Sequence, residues 1–160
     1  MIIRRVEPND LDDITKLESI CFPEAEAATR ESFEYRIATF PDSFYVAVEE
    51  GEIIGIVNGC VTDSLVISDE LFEPEGGHNP KGKSQAIFGL LVDPRYRKSG
   101  VAAKLMNHLM DAARQAGREK MILTCKEYLI KYYEGFGYVN CGVSKSTHGG
   151  AVWYDMVADL

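Results

Sequence analysis

Two stretches of this 160-residue chain have the residue types and spacing to hold a phosphate group. The first is "GHNPKGKS" (77–84), where Gly77, Gly82, Lys83 and Ser84 satisfy G-x-x-x-x-G-K-S. In nucleotide hydrolases such a loop cradles phosphates with its backbone N–H groups and its lysine. The apolar run "LLVD", ending at Asp93, imitates the magnesium-binding strand that accompanies it. The second stretch is "LLVDPRYRKSGVAAKLM" (90–106), where the basic residues Arg95, Arg97 and Lys98 lead into Ser99 and Gly100 at the start of a helical pattern. Free backbone N–H groups of a first helical turn, together with local positive charge, make an anion site. Gly100 admits a ligand to the backbone, and Ala102 keeps the next turn low.

The elements around the two stretches decide between them. The hydrolase loop needs a buried strand before it and a helix beginning at its Lys-Ser. Here the polar "DELFEPEGG" (69–77) precedes it, and the β-rich "SQAIFGLLVDP" (84–94) follows. The order is wrong, and a nucleotide hydrolase is set aside. The second stretch has the right order: a buried strand ending at Val92, a basic turn, then a helix over about 99–116. Its Val101, Leu105, Leu109, Ala112 and Ala113 share one face, and Gly117 ends it.

The rest of the pattern frames this unit. "IIRRV" (2–6) reads as a strand. "NDLDDITKLESICF" reads as a helix with Leu11, Ile14, Leu17 and Ile20 at helical spacing, and a second short helix is capped by Thr29 and ends near Pro41. "SFYVAV" and "EIIGIVNGCV" form a hairpin across "EEGE". A polar loop of about twenty residues then runs to Lys83, long enough to expect a function. After the long helix come a strand "KMILTC", a short helix "EYLIKYYEGF", and strands in "GYVNCG" and "AVWYDMVA". The order β-α-α-β-β-β-α-β-α-β-β predicts an α/β (α+β) domain built on a mixed sheet with one central β-α-β unit.

Composition narrows the function classes. The chain is 46% hydrophobic, with no repeat or linker, so residues 1–160 are expected to form one domain. A net charge of −8 argues against nucleic acid and anionic membranes as partners. No apolar run reaches the roughly 18 residues of a membrane span, and "MIIRRVEPND" lacks the apolar core of a signal peptide, so a cytoplasmic location is expected. Cys21, Cys60, Cys125 and Cys141 are scattered, with no C-x-x-C pair, and are read as small core residues rather than metal ligands or disulfides.

"RKSGVA" (97–102), the strand with "V-x-P" before it and "YYEGFGY" (132–138) after it resemble the GNAT acetyltransferase superfamily. Within that superfamily, "ESFEYRIATFPDSFYVAVEEGEIIGIVNG" and "LTCKEYLIKYYEGFGY" resemble the arylalkylamine (serotonin) N-acetyltransferase branch. The resemblance implies a mostly antiparallel seven-stranded sheet with about four flanking helices. It implies acetyl-CoA as cosubstrate, with no metal, and direct acetyl transfer to a primary amine, a small molecule first of all. A protein α-amino group or lysine, or a non-catalytic acyl-CoA sensor, is the alternative. Carried over residue by residue, the pyrophosphate site comprises Arg97, Lys98, Ser99, Gly100, Val101, Ala102 and Ala103. Leu90, Leu91 and Val92 would pair with the pantetheine arm, an N–H near Leu91 would stabilise the oxyanion, and Tyr133 would be the general acid. The two histidines of the arylalkylamine branch are replaced by Ala86 and Phe88, so no general base carries over. His78, His108 and His148 are read as surface residues, and Glu24 and Glu26 as turn charges that could alternatively act as base or ammonium anchor. Glu24, Glu26 and Glu31 together would suit a cationic amine. The resemblance also implies a possible homodimer through "AVWYDMVADL" (151–160).

Overall fold

The N-terminal residues form strand β1, Ile2–Arg5, in a computed structural model that describes residues 1–73 and 77–160. Helix α1 (Leu11–Cys21) follows a turn in which Asp10 accepts from the Glu7 N–H at 2.8 Å and holds Arg4 through bonds of 2.8 and 3.0 Å. Helix α2 (Arg30–Thr39) begins where the Thr29 hydroxyl accepts from the Ser32 N–H, as its sequence predicts. The hairpin comprises β2 (Phe44–Glu49) and β3 (Glu52–Asn58). Then come β4 (Val61–Thr62), β5 (Ser84–Ala86), β6 (Gly89–Val92), α3 (Val101–Gln115), β7 (Lys120–Cys125), α4 (Ile130–Glu134), β8 (Val139–Val143) and β9 (Tyr154–Asp159).

The strands form two sheets, β1-β2-β3-β6 and β4-β5-β7-β9-β8, rather than one sheet of seven. The class is as expected; the strand count differs because two long strands break at the same level. Residues 52–62 divide into β3 and β4 around Gly59, and 84–92 divide into β5 and β6 at Ile87 and Phe88. The backbones come so close at the break that a Cβ on Gly59 would lie 1.8 Å from the Ala86 carbonyl oxygen. Consecutive amides then serve different sheets: Ile87 N–H donates to Ile122 O (2.9 Å), and Phe88 N–H to Asn58 O (2.7 Å). Beyond that point β6 and β7 diverge, and no ladder joins them. The splayed gap is where a ligand can enter.

Helix α3 connects the two sheets as the expected β-α-β crossover, and β5 with β7 is the parallel pair. Its Val101, Leu105, Met106, Leu109, Met110 and Ala113 pack into the core on one side. Helices α1 and α2 cover the opposite side through Ile14, Leu17, Phe33 and Ile37, against Phe44, Val46, Ile56 and Leu91. Burial of side chains such as Phe33 and Ile14, both fully shielded, is worth about 1.5–3 kcal/mol each.

The G-x-x-x-x-G-K-S match has no helix behind it: Ser84 opens β5, and the exposed Lys83 ammonium lies 3.6 Å from Glu119. Residues 74–76 of the long loop fall outside the described residues. Within the segment 151–160, which the resemblance offers as a homodimer interface, Tyr154–Asp159 form strand β9, paired with β7 and β8. The edges of that sheet are β4 and β8, and Val139 and Val143 on β8 are exposed. No described helix is long and apolar enough to cross a membrane.

Candidate active site

The gap between β6 and β7 opens into a cleft of about 1010 Å³ that gathers residues far apart in the chain, from Glu18 to Trp153. At one end is the start of α3. Lys98 and Gly100 have φ of 65° and 83°, so the turn alternates handedness and points successive N–H groups into one concavity. The first intrahelical bond runs from Lys104 N–H to Gly100 O (3.1 Å), leaving the N–H groups of Val101, Ala102 and Ala103 without helical acceptors. Gly100 caps the helix without a side-chain bond, and a Cβ there would meet nothing within 4 Å. It is glycine for its φ, not for crowding. Arg97, Lys98, Gly100, Val101, Ala102 and Ala103 all line the cleft. Ser99 does not; its hydroxyl donates to the Tyr96 carbonyl. Arg95, part of the basic turn, is held by Asp93 at 2.9 Å and lies outside the cleft.

Leu90, Leu91 and Val92 line the next section, and the ladder tells their backbones apart. Asp93 N–H donates to Ile54 O at 2.7 Å, and Leu91 sits opposite Ile56 in the same register. Alternation along an antiparallel strand therefore turns the Leu91 N–H toward β3, and those of Leu90 and Val92 toward the cleft. Consistent with this, the Val92 carbonyl accepts from Arg97 Nε (3.4 Å) and the Cys21 thiol (3.5 Å), not from β3. The cleft-facing donors next to Leu91 are Leu90 and Val92.

Tyr133 lines the opposite wall with Leu123, Thr124, Cys125 and Tyr132. It is 9% exposed, and its ring is wedged edge-on against Tyr132 (5.2 Å) and Tyr138 (5.9 Å). Burial pushes its phenol well above the ordinary value of 10, so it stays protonated at neutral pH.

At the far end the cleft meets two buried charges that sequence reading passed over. Glu18 on α1 is 5% exposed, while Ile20, expected on the inner face, is 53% exposed. The Glu18 Oε2 accepts from the Ala28 N–H at 2.9 Å, and Oε1 looks toward Gly89, 4.0 Å from where a Cβ would stand. Burial raises the Glu18 carboxyl above its ordinary 4.5, against the lowering effects of that bond, Arg36 and His148. Arg36 on α2 is equally buried. The legible signal was a charge inside each apolar stripe: Glu18 is four residues from Ile14, and Arg36 three from Phe33.

The histidines divide. His108 is exposed on α3, as expected. His78 is half-buried, its Nδ1 accepting from the Val61 N–H at 3.1 Å, with burial lowering its pKa. His148 is also half-buried and lines the cleft: Nε2 lies 2.9 Å from the Glu26 carbonyl oxygen, and its ring stacks on Phe72 at 5.6 Å. Glu26 reaches the cleft but is committed to Lys126 at 2.8 Å, so it is no free turn charge. Glu24 and Glu31 are exposed and lie off the cleft. Phe88 lines the cleft, whereas Ala86 is fully buried and does not.

Three loops close this end. Asp69 accepts from Ser146 Oγ and, at 3.1 Å, from the Thr147 N–H. Trp153 Nε1 donates to the His148 carbonyl at 2.8 Å, and Glu26 links both to Lys126 and to His148.

The splayed strand pair and the helix start with its free N–H groups meet in one cleft, and comparison with known proteins gives the family. The profile of the Acetyltransferase (GNAT) family matches residues 11–138, and the chain belongs to that family. It is 30% identical over 135 residues to the protein named "Probable hydrolase YhcX" of Bacillus subtilis (strain 168), covering 77% of this chain and 25% of that one. Over 146 residues it is 27% identical to glucosamine 6-phosphate N-acetyltransferase 1 of Dictyostelium discoideum, covering 88% of each. Serotonin N-acetyltransferase of Mesocricetus auratus is 24% identical over 113 residues, 70% of this chain and 53% of that one. The serotonin branch is thus one distant relative among several, and the superfamily is the level at which the likeness holds. Among solved structures, the GphF GNAT-like decarboxylase in complex with isobutyryl-CoA superposes with a TM-score of 0.83 over 99% of both chains at 22% identity, a likeness of fold.

Proposed function

We propose that this chain is an acetyl-CoA-dependent N-acetyltransferase that transfers the acetyl group directly to a primary amine of a small molecule. The observation that carries the reading is the continuity of one cleft, from the free N–H groups of α3, along the unpaired edge of β6, to Tyr133 and Glu18. Acetyl-CoA supplies the acetyl thioester. The α3 N-terminus with Arg97 and Lys98 fits its pyrophosphate, and the backbone groups of Leu90 and Val92 fit its pantetheine arm.

The chain's own groups then have distinct tasks. Glu18 takes the proton that the amine sheds as its nitrogen bonds to the acyl carbon; its raised pKa makes it a better base than an ordinary carboxylate. The Leu90 N–H stabilises the oxyanion as the carbonyl becomes tetrahedral. As the C–S bond breaks, Tyr133 gives its proton to the departing thiolate and recovers one from solvent. The loops tied across the acceptor end favour a small acceptor over a polypeptide, which needs a groove open at both ends.

The test is free thiol release from acetyl-CoA with a panel of arylalkylamines, polyamines, amino acids and short peptides, using wild type and Tyr133→Phe. The expected result is turnover with one small-amine class, lowered about 10²- to 10⁴-fold in kcat by the substitution. Coenzyme binding without thiol release from any acceptor would overturn the enzyme reading in favour of a sensor. Turnover confined to peptides would overturn the small-molecule part.

A further inference from the structure

Arg36 is a cation sealed into the floor of the acceptor end. It is 6% exposed yet lines the cleft. Its guanidinium sits between two aromatic rings, 4.9 Å from the Phe88 centroid and 5.3 Å from that of Phe33. Nη1 donates to Asn58 Oδ1 at 3.0 Å, the one hydrogen bond Arg36 makes through its side chain among the described residues. That bond orients the Asn58 amide, whose buried Nδ2 has no described partner and lies 3.6 Å from where a Cβ on Gly89 would stand. No carboxylate among the described residues lies within ion-pair distance of Arg36. Two rings hold the fork rigid, and donors remain uncommitted.

We propose that Arg36 selects acceptors that carry an anionic group, a carboxylate or a phosphate, close to the amine that is acetylated. The inference rests on the reading of this cleft as an acyl-transfer site. A buried guanidinium with a single neutral partner leaves much of its desolvation uncompensated, and an anion arriving by bidentate bonds compensates it. Glu18 does not play that part. Burial pulls Arg36 down from 12.5 to about 10 and pushes Glu18 up, the reverse of what a contact ion pair does to its members. Arg36 nevertheless remains charged at neutral pH. The two charges meet the chain at adjacent residues, Arg36 over Phe88 just before β6 and Glu18 beside Gly89 at its start. A molecule with an ammonium and an anion on a short spacer matches both.

The experiment is calorimetric titration of the CoA-saturated protein with matched pairs, each an anionic amine and its neutral counterpart. One arm sets α-amino acids against their amides, the other aminoalkyl phosphates against the amino alcohols. Acetylation kinetics follow the same pairs in wild type, Arg36→Met and Arg36→Lys. In one arm the anionic member is expected to bind about tenfold or more tighter than the neutral one, and the arm identifies carboxylate or phosphate. Arg36→Met should erase that preference through KM, and Arg36→Lys should restore part of it, which guards against a mere folding defect. Equal or tighter binding of neutral amines, a preference unchanged in Arg36→Met, or no binding by any anionic amine would overturn the proposal. Binding preference without acetylation would retain the role of Arg36 and remove the acyl-transfer reading; turnover of neutral amines alone would do the reverse.

Discussion

At the scale of single residues, Glu18 is expected to trade stability for activity. Its folded pKa lies above the ordinary value of 4.5, so the folded protein binds this proton more tightly than the unfolded chain does. Its favourable contribution is therefore complete below that value and is lost as pH rises through the folded pKa. Glu18→Gln should raise Tm at pH 7–8, with a gain that shrinks as pH falls through the folded pKa and is gone below 4.5; thermal melts across that range measure it. The same variant should lose about 10²- to 10⁴-fold in kcat, together with the acid limb of the kcat/KM profile. A wild-type acid limb retained in Glu18→Gln would assign the base elsewhere. Tyr133 was readable because it sits in a motif. Glu18 and Arg36 carried only the weaker signal of a charge inside an apolar stripe, which is the same in sequence whether the side chain is turned outward or sealed in.

At the scale of elements, two glycines are expected to fail in different ways. Gly100→Ala forces a side chain into φ 83° at the mouth of the anion site. It should cost about 1 kcal/mol, and shift or loosen the turn, so that acetyl-CoA Kd rises several-fold by calorimetry while Tm moves little. Gly59→Ala places a Cβ 1.8 Å from the Ala86 carbonyl, at the seam between the sheets. The seam cannot relax without breaking the ladders of β4 or β6, so Tm should drop sharply, by an amount beyond the usual 0.5–3 kcal/mol range or roughly at its top. The seam itself was hidden: "EIIGIVNGCV" and "SQAIFGLLV" are continuous β-rich runs, and only their mutual approach at Gly59 divides them.

At the scale of the molecule, the acceptor end is held by polar ties between segments far apart in the chain, of which Asp69 with Ser146 and Thr147 is the most separable from the cleft chemistry. Asp69→Ala should raise the acceptor KM several-fold and leave the acetyl-CoA Kd unchanged, since the coenzyme end is built by β6 and α3. Equal weakening of both substrates would mean that the tie supports the whole cleft. Acetyl-CoA at a hundred times its Kd should in turn stabilise the folded chain by about 2.7 kcal/mol, readable as a Tm shift that Gly100→Ala diminishes.

The amino-acid sequence by itself determined what is local. Periodicity and capping placed the helices, with Thr29 opening α2 and Gly100 opening α3. The basic turn before α3 marked the proposed anion site, and element order dismissed the loop at 77–84. Only the tertiary structure decided what depends on two segments meeting. The approach of Gly59 to Ala86 split one sheet into two where the cleft opens, the ladder turned the amides of Leu90 and Val92 rather than that of Leu91 to the cleft, and the seating of α1 and α2 turned Glu18 and Arg36 inward. The physical reason is common to all three. Strand register, sheet splay and the burial of a charge are properties of pairs of surfaces, and a one-dimensional pattern records each surface without its partner.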